Sequence, residues 1–200
     1  MNVTRHRHSR FAELREAFRH HPEWFGPWSG LLFRFQTVEF PLAKDILSGQ
    51  GAAGRGGRWN PRGLATLYGS TTDTTALEEC KANDRYYGVV TKGPRLLVAI
   101  EAQLQRVLDL NDSGLRRALD LNRSDLAAED WRKLQFAGEE SLTQAIGRAV
   151  AEARGSGILA PSVTLAHGVT VAIYPGICPG DQLQVVEGDK LDRIGVRKKG

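Results

Sequence analysis

Cysteine is nearly absent from this 200-residue chain. Only Cys80 and Cys178 occur, neither belongs to a C-x-x-C pair, and neither lies in a Cys/His cluster with zinc-like spacing. A disulfide framework and a structural metal are therefore excluded, no metal ligands are expected, and a reducing cytoplasm is the expected setting. Long apolar runs are missing too, so no membrane span is predicted. The opening residues, MNVTRHRHSRFAELREAF, contain no apolar h-region, so no secretory signal is predicted. There is no G-x-S-x-G elbow and no Gly-Lys-Ser/Thr after a glycine loop, so neither a hydrolase nucleophile nor a Walker A site is indicated.

What is present is ordinary for a globular domain: 41% hydrophobic and 25% charged residues, with a formal charge of +4. A chain of this length buries about two-thirds of the surface its unfolded form exposes. The basic excess is partly terminal, with Arg5, Arg7, Arg10, Arg15 and Arg19 at one end and Arg197 to Lys199 at the other. Such charge reads as a solvated face, and direct nucleic-acid binding is not expected.

Residues 9–21 read as an amphipathic helix with Phe11, Leu14 and Phe18 on one side, ended by Pro22. Residues 1–30 are taken as an N-terminal helical extension and residues 31–200 as the main domain. Strand-like runs follow at 31–36, 64–69, 95–101, 105–110, 157–161, 169–174 and 182–187. Between them, Asp73 is placed to cap a helix reaching about Asn83, and Ser124 to start one carrying Leu126, Trp131, Leu134 and Phe136. Ser141 and Gln144 make a capping box before Leu142, with Gly155 closing that helix. The strands cluster without regular helical crossovers, which predicts an α+β domain with a mixed, largely antiparallel sheet flanked by helices.

Chemistry-bearing residues are spread along the chain. The segment GQGAAGRGGRWNPRG, 49–63, combines six glycines with three arginines around Trp59 and Asn60. It reads either as a flexible loop whose arginines fork onto phosphate oxygens, or as a long turn anchored by a buried Trp59. Tyr68, taken alone, is a core tyrosine, and Glu79 a solvated helical glutamate at the edge of an apolar face. Ser162 follows Pro161 on a turn, where its hydroxyl is suited to bonding a ligand. A pairing with His167 has no third orienting group in view. His6, His8, His20 and His21 read as solvated side chains of the basic arm.

The succession LLFRF, GGRWNPRG, LATLYGSTTDTTALEE, DWRKLQFAGEESLTQAIGRAV and GSGILAPSV, over about 31–174, resembles the RES domain, the toxin of bacterial Xre-RES toxin–antitoxin modules. The Arg, Glu and Ser of the family name correspond here to Arg34, Glu79 and Ser162. The segment after Ser162 departs from the pattern, with His167 and Tyr174 where asparagines are expected. The resemblance implies an ADP-ribosyltransferase-like fold and NAD⁺ as substrate, cleaved at the nicotinamide–ribose bond by hydrolysis, or by phosphorolysis with inorganic phosphate as co-substrate. It implies Glu79, Arg34 and Ser162 as catalytic residues, and Arg34, Arg58, Trp59, Asn60, Tyr68 and Ser162 as substrate-binding residues. Arg34 and Arg58 would hold the pyrophosphate, Tyr68 would stack on nicotinamide, and Ser162 would bond its carboxamide or the adjacent ribose. It also implies an Xre-type antitoxin as partner, with a homo-oligomer as an alternative assembly. Two competing functions are a protein ADP-ribosyltransferase using the same pocket and a catalytically silent antitoxin-binding module.

Overall fold

A computed structural model describes residues 6–39, 42–88 and 94–197; Arg5, Lys198 and Lys199 of the basic ends lie outside them. The strands are β1 (Phe25–Thr37), β2 (Leu67–Ser70), β3 (Arg95–Asp109), β4 (Gly157–Pro161), β5 (Val169–Ile173) and β6 (Gln182–Val185). The helices are α1 (Phe11–His20), α2 (Ala43–Leu47), α3 (Gln50–Arg55), α4 (Asp73–Tyr87), α5 (Ser113–Ala118), α6 (Asp125–Ala128), α7 (Trp131–Ala137), α8 (Leu142–Glu152) and α9 (Gly188–Arg197). The fold is α+β, with a mixed, largely antiparallel sheet.

The strands pair in the order β1-β2-β5-β4-β3-β6, and β1 also pairs with β3, so five of them form a ring to which β6 is added. The β1–β2 step of that ring rests on the pairing of Phe33 with Ser70. Only β3 and β4 run parallel. Alternate residues of β4 and β5 enter two apolar clusters: Ile158, Ala160 and Ala172 face one, and Leu159, Val171 and Ile173 the other. These two strands are therefore buried on both sides, which explains why GILAP and VTVAI are so apolar.

Several elements differ from the sequence expectation. The two runs at 95–101 and 105–110 are one strand, because Val98, Ile100, Ala102 and Leu104 continue an unbroken period of two and β1 pairs along nearly the whole length. Strand β1 begins at Phe25, inside the expected extension, and Phe11, Leu14 and Phe18 of α1 join the same apolar cluster as α8. The helix expected from Ser124 to Phe136 is two helices. Glu129 is extended, and the Asp130 carboxylate caps α7 by accepting from the N–H groups of Arg132 and Lys133. Thr72, not Asp73, caps α4 by accepting from Thr75 N–H, and the helix runs to Tyr87 before Gly88 ends it. The Ser141/Gln144 capping box is present. No helix among the described residues is long and apolar enough to cross a membrane.

Candidate active site

The segment 49–63 is not an open phosphate loop: α3 occupies its first half, and its second half is bonded to the protein interior. At Gly56, with φ of 78°, an added Cβ would collide with Gln135 Oε1, so the space beside this glycine belongs to a side chain of α7, as in the long-turn reading of the segment. Asn60 is fully buried, and its Nδ2 lies 3.0–3.1 Å from the carbonyl oxygens of Ala52, Pro61 and Leu64. Gln144 Nε2 meets the carbonyls of Gly57 and Asn60 and the Oε1 of Gln135, while Gln135 Nε2 donates to Arg55 O. Tyr174 Oη donates to Trp59 O at 2.9 Å, over Gly147, where a Cβ would collide with that same carbonyl. Buried polar groups satisfied this completely make a rigid loop.

From that loop Arg58 projects. Its Nη1 donates to Leu126 O at 3.0 Å. Burial lowers its pKa, the Glu79 carboxylate opposes that shift, and Arg132 adds to it, so both charges act on Arg58.

Glu79 and Ser162 are 83 positions apart, yet Ser162 Oγ donates to Glu79 Oε1 at 2.6 Å. The same hydroxyl oxygen accepts from the N–H groups of Thr164 and Leu165, each at 3.1 Å, and lies 3.0 Å from Thr164 Oγ1. These partners orient the serine hydroxyl, whose proton points at the glutamate oxygen. His167 is exposed on a left-handed turn, outside this set of partners. A cavity of about 330 Å³ opens beside Ser162, between Arg123, Ser124, Leu126 and Ala127 on one side and Pro161 and Val163 on the other. That volume lies at the lower end of the range of small-molecule sites.

Of the residues expected from the sequence, Glu79, Ser162 and Arg58 thus come together. Arg34 is largely buried on β1. Burial first, and then the like charge of Arg55, hold its guanidinium down at about 10, and its Nε has no hydrogen-bond partner. A guanidinium buried beside another cation is a place for an anion. Trp59 (3% exposed) and Asn60 (0%) lie inside the protein, bonded into the loop through the Trp59 backbone and the Asn60 side chain. Tyr68 is largely buried, and its hydroxyl donates to Asn60 Oδ1 and accepts from Trp59 N–H, each at 2.8 Å; burial raises its pKa. Its polar end therefore holds the loop.

The sequence reading missed Gln135, Gln144 and Thr164. Gln144 was visible only as a capping residue, a role it keeps by accepting from Ser141 N–H while its amide nitrogen spans to the loop. Among the described residues no group of three or more His, Cys, Asp or Glu side chains gathers as a metal site would.

A family model described as the RES domain matches residues 31–193. Among solved structures, a chain from the crystal structure of the M. tuberculosis MbcT–MbcA toxin–antitoxin complex superimposes with a TM-score of 0.66 at 21% identity, over 94% of this chain and 98% of that one. No curated protein matches the chain.

Proposed function

This chain belongs to the RES domain family, and from that premise we propose that it is the toxin of a toxin–antitoxin pair, cleaving NAD⁺ at the nicotinamide–ribose bond and restrained by an Xre-type antitoxin. The observation that carries the reading is the 2.6 Å bond from Ser162 Oγ to Glu79 Oε1, within reach of the Arg58 charge and beside a cavity. The fold similarity to a chain of a toxin–antitoxin complex supports it.

The chemistry needs little from the protein. The electron pair of the C–N glycosidic bond passes to the pyridinium nitrogen, nicotinamide leaves neutral, and no general acid is required. Positive charge develops at C1 of the ribose, as in glycoside hydrolysis. A carboxylate held beside that carbon stabilises it. Ser162 fixes one oxygen of Glu79 and leaves the other for the ribose hydroxyls. Arg58 and the unpaired buried Arg34 supply the positive charge that a pyrophosphate or an incoming phosphate needs. Water or inorganic phosphate then attacks C1, giving ADP-ribose or its 1-phosphate, and the proton of attacking water passes to solvent. The reaction calls for no further cofactor.

The test is NAD⁺ consumption by the purified protein with and without inorganic phosphate, the products resolved by mass. Free nicotinamide with ADP-ribose or its phosphate is the expected result. NAD⁺ left intact in both buffers would remove the reading in favour of a silent antitoxin-binding module, and ADP-ribose found attached to protein would replace it with ADP-ribosyl transfer. Glu79→Gln keeps the shape and loses the charge, so kcat should fall at least about a hundredfold while NAD⁺ affinity is kept.

A further inference from the structure

Helix α4 carries more than Glu79 toward this site. Asn83 and Tyr86 follow at i+4 and i+7, on the carboxylate's face of the helix. The contacts agree: Arg132 Nη2 donates to Asn83 Oδ1 at 2.8 Å, and Tyr86 Oη donates to Asp130 Oδ2 at 2.9 Å. The Arg132 guanidinium lies 4.4 Å from the ring centroids of both Tyr86 and Trp131 and 5.4 Å from that of Tyr87. The two tyrosines meet edge to face at 5.2 Å, yet they stay 44% and 57% exposed.

A cation already oriented by aromatic rings, with its Nε buried and unpartnered, is set up for recognition. Trp131 is buried beneath the guanidinium, but core packing does not account for the two tyrosines, which face solvent. The charges of Glu79, Arg132 and Asp130 all act on Arg58, whose Nη1 donates to the carbonyl of Leu126 at the cavity wall. The helical rise places Tyr86 about 10 Å along the axis from Glu79. A dinucleotide has the matching order: a reacting ribose, a pyrophosphate, and a flat base at the far end.

We propose that Tyr86, Tyr87 and Arg132 form the platform for the adenine end of the substrate, with the base stacked on the exposed tyrosine and the pyrophosphate between Arg58 and Arg132. The inference rests on the NAD⁺ reading and adds where the non-reacting half is bound. Aromatic stacking holds a base without hydrogen-bond readout and changes affinity by roughly tenfold or more.

Calorimetric titration of the wild type, Tyr87→Ala and Tyr87→Trp with NAD⁺, AMP and nicotinamide mononucleotide tests it. The alanine variant should bind NAD⁺ and AMP about tenfold or more weakly, bind the mononucleotide unchanged, and be restored by tryptophan. NAD⁺ affinity unchanged in Tyr87→Ala, or equal losses for NAD⁺ and nicotinamide mononucleotide, would overturn the platform while leaving the cleavage reading intact. A wild type whose NAD⁺ binding depends on Tyr87 but which leaves NAD⁺ uncleaved would sustain the platform and remove the cleavage reading. Binding of none of the three ligands would remove both.

Discussion

Arg34 and Glu79 look alike in the sequence, each an unremarked charge in an amphipathic segment, and the structure gives them opposite circumstances. Both side chains are part-buried, but Glu79 has one oxygen held by Ser162, whereas the neighbouring charge acting on Arg34 is another cation. Burial and Arg55 hold its guanidinium at about 10, below the free arginine range. A base so depressed is charged at neutral pH and loses its proton as pH rises through that value. NAD⁺ affinity should therefore be flat from about pH 7 to 9 and weaken above about 10. In Arg34→Ala, affinity should be lower throughout and lack this alkaline limb. The same limb in the variant, measured by titration across pH, would assign the ionisation elsewhere. Arg34 was singled out only through the family resemblance, because nothing in LLFRF tells that the charge acting on its arginine is another cation.

At the scale of elements, the loop bearing Arg58 is positioned by parts from distant stretches of chain. Gln135 lies on α7, Gln144 on α8, Tyr68 on β2, and Tyr174 follows β5. Tyr174→Phe keeps the ring and leaves the buried Trp59 carbonyl without its donor. A loss of about 1–3 kcal/mol is expected, seen as a Tm lowered by roughly 2–4 °C for each kcal/mol. If the tyrosine acts on the site through Arg58, KM for NAD⁺ should rise with kcat kept. An unchanged KM at lower Tm would make the residue structural only. The position was noticed as a departure from the expected asparagine. Its use depends on Gly147, 27 residues earlier, letting the Trp59 carbonyl approach. Local signals served better where they were self-contained: the Ser141 and Gln144 cap is written in four residues, whereas Glu129 and Asp130 break a helix whose apolar spacing continues across them.

At the scale of the whole molecule, the question is whether residues 1–30 form a separable extension or share the core. Phe18 is 1% exposed, meets Trp24 and Phe25 edge to face, and lies in the cluster that holds α8 and Trp59. Phe18→Ala should cost about 3–5 kcal/mol, and denaturant unfolding followed by tryptophan fluorescence and by circular dichroism should stay one coincident transition. Two separate transitions would restore the picture of an appended helix.

The sequence by itself determined the fold class, most element positions, the apolar face of α1 and the cap of α8, because period, propensity and capping are properties of neighbours along the chain. It also held the motif order that names the family. The tertiary structure alone decided that Ser162 holds Glu79 across 83 positions, that Trp59 and Asn60 face inward, and that Arg132 gathers exposed tyrosines beside Arg58. Burial and the pairing of distant polar groups arise only when the sheet closes and the helices pack against it, and no local pattern encodes them.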